Sequence, residues 1–197
     1  EMLRSGANII DIGGESTRPQ SKIISPKVEW ERIKTVVKKF KKKFPKATLS
    51  IDTRKSLVMR NSIKYAADII NDVSCFKFDR KSFSIIKNKK LWKVIHHMQG
   101  TPQTMQINPK YHHVLLDIYE FFEREIAKLK KDKYSNKIIL DPGIGFGKNL
   151  KHNLMIMNKI SIFHSLGFPI LIGTSRKRFI NQISKNFDTK ERLGGTL

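Results

Sequence analysis

Apolar residues fall into short runs, each closing on a polar or glycine-rich cluster before a longer amphipathic stretch begins. The runs are 7–12, 48–51, 68–73, 91–95, 137–140 and 168–172. They are too short for helices, rich in Ile and Val, and not alternating, which predicts strands covered on both faces. The stretches between them keep a helical period. Ser25-Pro26 predicts an N-cap with proline at the first helical position, followed by an apolar stripe of Val28, Ile33, Val36, Val37, Phe40 and Phe44 that ends near Pro45. A second helix is expected over 55–67, with Leu57, Val58 and Ile63 inward. The longest, over 112–131, presents Val114, Leu115, Ile118, Phe122, Ile126 and Leu129 at 3.6-residue spacing, and 154–163 reads as another.

Strands alternating with helices predict an α/β fold with a parallel sheet. Six such strands suit either an open doubly wound sheet or part of an eight-stranded barrel, and the pattern alone favours neither. In both, function gathers at the C-terminal ends of the strands. The chain has 197 residues, with no internal repeat and no Pro/Ser/Gly-rich linker, so 1–197 is read as one domain.

Composition narrows the function classes. No apolar stretch approaches the ~18 residues of a membrane helix, and residues 1–6 lack a signal-peptide core; a cytoplasmic protein is expected. The single cysteine, Cys75, reads as a small buried hydrophobe near a strand end and agrees with a reducing compartment. The formal charge of +22 raises nucleic acid as a partner. The lysines are scattered, however, and in the run 38–43 they flank helically spaced apolar positions, as on a solvated face. With no nucleic-acid motif present, that partner is not expected.

The strand ends carry the chemistry. In order they present Asp11 with Gly-Gly-Glu-Ser-Thr-Arg-Pro at 13–19, then Asp52-Thr53-Arg54-Lys55, Asn71-Asp72 and His96-His97-Met98-Gln99-Gly100. Asp-Pro-Gly-Ile-Gly-Phe-Gly-Lys at 141–148 and Gly-Thr-Ser-Arg-Lys at 173–177 complete the set. Each is weak alone. Pro142 and Asn149 break a Walker loop, and Lys148 stands where the third glycine of a dinucleotide loop belongs, so Gly143, Gly145 and Gly147 read as a turn needing permissive backbone. Adjacent His96 and His97 point to opposite faces of a strand, which argues against one shared metal ion and for core or hydrogen-bonding roles.

Taken together, the segments 13–19, 50–55, 70–72, 98–100, 141–149 and 175–177 resemble the successive signature segments of dihydropteroate synthases, in that family's order and with compatible spacing. The resemblance implies a (β/α)8 barrel of the TIM type with about six of its strands present. The reaction it implies is displacement of pyrophosphate from the hydroxymethyl carbon of a 7,8-dihydropterin by the amine of p-aminobenzoate, the step that sulfonamides target. Asp52, Asn71, Asp141 and Lys177 fall on pterin-contacting positions, with Asp52, Asp141 and Lys177 as the catalytic set. Thr17, Arg18 and Pro19 match the loop over the p-aminobenzoate side. Phe146, Gly173 and Ser175 complete the expected substrate-binding set, and Asp72 is read as structural. The chemistry agrees: a carboxylate accepts two bonds from adjacent pterin N–H groups and stabilises a pterin cation, Asn71 offers donor and acceptor, and Lys177 is a cationic donor.

The resemblance also implies Mg2+, whose expected ligand belongs to a first strand preceding residue 7; the family's last strand would follow residue 197. A chain lacking both is expected to be weakly folded or inactive alone, since two unpaired sheet edges remain. His96 departs from the family's pattern, where many relatives carry Met. The expected partners are the two small-molecule substrates, and a homodimer stays open. Two other readings compete: a methyltetrahydrofolate-dependent methyltransferase barrel, which would not be expected to carry 13–19 together with 175–177, and an inactive basic nucleic-acid or interaction protein on a degenerate barrel.

Overall fold

The computed structural model describes residues 1–18, 21–175 and 177–184. Among them the chain runs β1 (Ile9–Gly13), α1 (Pro26–Lys43), β2 (Thr48–Asp52), α2 (Ser56–Lys64), β3 (Ile69–Asp72), α3 (Ser82–Ile86), β4 (Trp92–His96), α4 (Val114–Leu129), β5 (Ile138–Asp141) and α5 (Leu150–Asn158). A 3-10 turn over Ile160–Leu166 and α6 (Arg178–Ser184) follow. All strands are parallel and lie in sequence order β1-β2-β3-β4-β5. A doubly wound sheet reverses its strand order at a switch point; an unbroken order with a helix after each strand is the arc of a barrel.

The sixth expected strand, 168–172, forms no ladder. Its backbone bridges β5 at one point, Leu140 to Ile170, with Leu140 N–H donating to Pro169 O and Leu171 N–H to Leu140 O, each 2.8 Å. With Ile172 48% exposed, this segment is held at one edge only, so apolar composition alone overstated its regularity. β1 likewise departs from full coverage: it is the sheet edge, its residues alternate between exposed and half-buried, and Ile9 is 49% exposed.

The helices start where their caps dictate. Ser25 Oγ accepts from Val28 N–H ahead of Pro26, as expected, and α1 ends at Lys43. Its buried face is narrower than the expected stripe: Glu29, Ile33, Val37 and Phe40 are buried, while Val28, Val36 and Phe44 are exposed. A carboxylate thus takes the first place of the inward face, and its partners lie at the strand ends. α2 starts at Ser56 and turns Val58 and Met59 inward, with Leu57 and Ile63 only partly buried. α4 buries Val114, Leu115, Ile118, Phe122 and Leu129 as expected, with Ile126 half-buried against them. The helix expected over 154–163 begins earlier, at Leu150, where Asn149 and His152 form a reciprocal cap, and it gives way to the 3-10 turn before Gly167. The short α3 had no sequence signal.

Two apolar clusters fill the space between sheet and helices. One joins α1 and α2 to β2 and β3 around Val37, Leu49, Ile51 and Val58; the other joins α4 and α5 to β4 and β5 around Ile118, Phe122, Leu140 and Phe163. Cys75 is buried, as expected, in the turn after β3. Among the described residues no helix is long and apolar enough to cross a membrane.

Candidate active site at the strand ends

Parallel register brings the polar strand ends onto one rim. Gly13 pairs with Asp52, Asp52 with Asn71, and His96 with Asp141. Gly13 lacks a side chain for good reason: a Cβ there would stand 3.3 Å from the Asp52 side chain. Lys177, just before α6, closes the group, because its ammonium interacts electrostatically with both Asp141 and Asp52. The four residues expected to grip a pterin therefore converge.

Each is held differently. Asp141 Oδ1 accepts from Gly143 N–H at 2.7 Å, and Oδ2 meets His96 Nδ1 at 3.0 Å. Burial pushes the Asp141 carboxyl up, but His96, the Gly143 N–H and Lys177 more than offset this and hold it below the ordinary carboxylate range. Asp52 meets the opposite fate: burial, then repulsion from Asp11, Asp72 and Glu29, pushes its carboxyl up to about 8 against the opposing pull of Arg54 and Lys177. Asp52 Oδ1 and Asn71 Oδ1 are buried with no hydrogen-bond partner among the described residues, and so is His96 Nε2. Asn71 Nδ2 points to Asp11 Oδ2 at 3.4 Å. Buried polar atoms without partners are costly, and at a strand-end rim they mark positions for a ligand's complementary groups.

Phe146 supplies an apolar wall. Lys177 Nζ sits 4.2 Å from its ring centroid, and the His96 ring meets it edge-on at 4.6 Å. The loop that carries Phe146 needs its glycines: Gly143 has φ +68°, and a Cβ there would fall 2.0 Å from His97 O. Lys148 fastens this loop to β4. Its Nζ lies 3.0 Å from His97 Nδ1 and donates to Phe146 O at 2.9 Å; burial pushes its ammonium down to about 7. His96 and His97 thus have separate hydrogen-bonding roles. A cavity of about 240 Å³ adjoins the rim, lined in part by His96, Val73, Arg54, Met98 and Phe78.

Not every expected residue joins the cluster. Thr17 is half-buried and Arg18 exposed on the β1–α1 loop, and Pro19 lies outside the described residues. Gly173 faces open space, and Ser175 is exposed. Asp72, fully buried, accepts from Ser74 N–H, Ser74 Oγ and Phe76 N–H, a structural role as expected; burial pushes its carboxyl up to about 6. Sequence reasoning missed the buried charges Glu15, Glu29, Arg54 and Lys55 behind the rim. Glu15, Arg54 and Lys55 had position as their one sequence signal, inside the segments 13–19 and 50–55, and Glu29, in α1, had none. Among the described residues no group of three or more His, Cys, Asp or Glu side chains is placed to hold a metal ion.

The sequence matches the family described as pterin binding enzymes along residues 1–197. The dihydropteroate synthase of Escherichia coli K12 is 39% identical over 197 residues, covering all of this chain and 69% of that one. The chain belongs to the dihydropteroate synthases. Among solved structures, Yersinia pestis dihydropteroate synthase in a sulfonamide drug complex superposes with a TM-score of 0.92 at 36% identity, covering 98% of this chain and 69% of that one. The Xanthomonas albilineans enzyme with 4-aminobenzoic acid gives a TM-score of 0.91 at 28% identity, covering 99% of this chain and 69% of that one. As a dihydropteroate synthase the chain is a transferase, and its parallel sheet with flanking helices is a partial barrel of the family's kind.

Proposed function

We propose that the Asp52–Asn71–Asp141–Lys177 cluster holds a 7,8-dihydropterin hydroxymethyl pyrophosphate, and that the loop bearing Thr17, Arg18 and Pro19 covers the incoming p-aminobenzoate. The observation that carries this reading is the pair of buried acceptors without partners, Asp52 Oδ1 and Asn71 Oδ1, beside an Asp141 carboxylate fixed by His96 and Gly143. These acceptors suit an edge rich in N–H groups. Lys177 adds a cationic donor for an oxygen of the heterocycle, and Phe146 an apolar face for its plane.

The reaction breaks the bond between the hydroxymethyl carbon and the pyrophosphate oxygen, which leaves with the electron pair, and forms a bond from that carbon to the amine nitrogen, which then gives up a proton. As the pyrophosphate departs, positive charge spreads into the pterin ring. Asp141, ionised by its surroundings, faces that charge without reorganising, and electrostatic preorganisation of this kind is the main catalytic device available to the site. Asp52 joins it on giving up its proton to bulk. Gly173 and Ser175 border the substrate path, on the segment that leads into Lys177. The buried thiol of Cys75 fits a reducing compartment, the cytoplasm.

Fluorescence titration of the chain with a 7,8-dihydropterin, alone and as Asn71→Ala and Lys177→Met variants, tests the assignment. Binding is expected to weaken at least tenfold in each variant, with dihydropteroate formation falling in parallel. A chain that binds no pterin, or variants that bind as tightly as the parent, would overturn it.

A further inference from the structure

The β1–α1 loop is fastened at both ends by one carboxylate. Glu15, at the start of the loop, is buried; its Oε1 takes Arg54 Nη2 at 2.6 Å, and its Oε2 takes both Lys55 Nζ at 2.6 Å and the Ile24 N–H at 3.0 Å. Ile24 stands at the far end of the loop, immediately before the Ser25 cap of α1. A single side chain thus draws together residues nine apart in sequence and closes the loop at its base.

The clamp is rooted in the rim. Lys55 also pairs with Glu29 at 2.5 Å, and Glu29, with no exposed surface, accepts from Thr53 Oγ1 at 2.5 Å. Arg32 donates to Gly14 O at 3.0 Å, and Gly14 packs so closely on Glu29 that a Cβ would lie 2.7 Å from the Glu29 carbonyl oxygen. Arg54 is braced on the other side by the Phe78 ring, 4.2 Å from its centroid. Two carboxylates and two cations are balanced in a buried cluster, with Arg54 and Lys55 following Asp52 after Thr53, Glu15 preceding Thr17 and Arg18 by way of Ser16, and Glu29 on α1. Farther along the loop, Ser21 Oγ donates to Ser16 O at 2.5 Å and Ser21 N–H to Arg18 O at 3.1 Å, and Gln103 Nε2 donates to Ser21 O at 3.3 Å.

We infer that Glu15 is a positioning residue for the second substrate: it fixes the base of the β1–α1 loop to the Asp52 strand end, so that Thr17 and Arg18 are presented over the pterin site. This rests on the reading of those two residues as the p-aminobenzoate side. A merely structural Glu15 would serve both halves of the site alike. A positioning Glu15 serves one half, because the pterin cluster hangs from β2, β3, β5 and Lys177, none of which it fastens to the loop tip.

The test compares two binding constants on the full chain, measured by calorimetry: Kd for a pterin alone and Kd for pteroic acid, which adds the p-aminobenzoyl group. The ratio of the two reports the loop. In Glu15→Gln the pteroate advantage is expected to shrink at least tenfold, whereas any shift that Arg54 passes to Asp52 enters both constants and cancels in their ratio. Because Glu15→Gln leaves Arg54 and Lys55 in excess, the charge-balanced double variant E15Q/R54M is measured too; recovered thermal stability with the pteroate advantage still lost supports the clamp. Equal weakening of both ligands, or an unchanged ratio, overturns it. Arg18→Ala separates the layers: an unchanged ratio there sinks the loop assignment and the clamp with it, whereas a reduced ratio there beside an unchanged one in Glu15→Gln sinks the clamp alone.

Discussion

If the proposed pterin site is correct, Asp52 makes pterin binding a proton-linked event. Its carboxyl, pushed up to about 8 by burial and by its acidic neighbours, holds a proton in the ligand-free site at neutral pH, in a ratio of roughly ten to one at pH 7. A protonated Asp52 presents a donor, and a donor facing pterin N–H groups is repelled, so the bound state takes the carboxylate. Binding at pH 7 is therefore expected to expel about 0.9 proton. Affinity should climb nearly tenfold per pH unit below 8 and flatten above it, a gain of roughly ninety-fold between pH 6 and 9. Lys177 works against this at the alkaline end, because burial has already lowered its ammonium and a neutral amine is the weaker donor. Stability of the ligand-free chain runs the other way: the Asp52 contribution is complete below the ordinary 3.8 and is lost as pH rises through about 8.

Isothermal calorimetry at pH 7 in two buffers of different ionisation enthalpy measures the released proton directly. The Asp52→Asn variant supplies the control, since it cannot titrate and should show a flat pH profile with weaker binding throughout. Identical heats in the two buffers, or the same pH slope in Asp52→Asn as in the parent, would refute the reasoning.

Three further outcomes are expected. Asp141→Asn keeps an oxygen for the Gly143 N–H but turns a donor toward the ligand; losing one charge-assisted bond and gaining a donor clash costs about 3 kcal/mol, a pterin Kd about a hundredfold weaker by fluorescence titration, and a change under threefold would remove Asp141 from the site. Gly143→Ala places a methyl 2.0 Å from His97 O at a left-handed φ of +68°, so urea denaturation should show a loss of at least about 2 kcal/mol; a variant as stable as the parent would mean this loop moves without cost. Burial pushes Lys148 down to about 7, so its contribution to stability is lowest in acid and recovers as pH rises from about 7 toward 10.5; thermal melts of Lys148→Met should lose that rise, and parallel pH curves for the two chains would contradict it.

What the sequence made legible follows from geometry that repeats. Parallel strands with helical returns place the C-terminal ends on one rim, so the residues after each apolar run mark the rim, and the family resemblance picks Asp52, Asn71, Asp141 and Lys177 out of them; the structure brings these four together. Interactions without a period were not legible. Glu15 and its partners Arg54 and Lys55 lie 39 and 40 residues apart, and nothing in spacing or composition pairs one carboxylate with two cations at that distance. The same blindness widened the α1 stripe: Val28 and Val36 fit an apolar face as well as Glu29 fits a solvated one, until Lys55 and Thr53 are seen to meet Glu29 inside. Run 168–172 was read as a strand because pairing partners, unlike hydrophobicity, cannot be read from a segment itself.

Asp52 and Asp141 show where residue identity stops carrying information. Both are aspartates ending strands of one sheet, both are inside the rim, and both were assigned the same duty toward a cationic ring. Their surroundings set them apart: Asp141 has a ring nitrogen and a backbone N–H on its two oxygens and stays ionised, while Asp52 has an oxygen with no partner and three acidic neighbours and keeps its proton. On the proposed reading the site therefore offers one permanent charge to orient the heterocycle and one latent charge that appears as the ligand's donors arrive. An Asp52 ionised in the empty enzyme would stand buried beside Asp11, Asp72 and Glu29; one that ionises on binding avoids that cost and, in the proposed reaction, still faces the cation when pyrophosphate leaves.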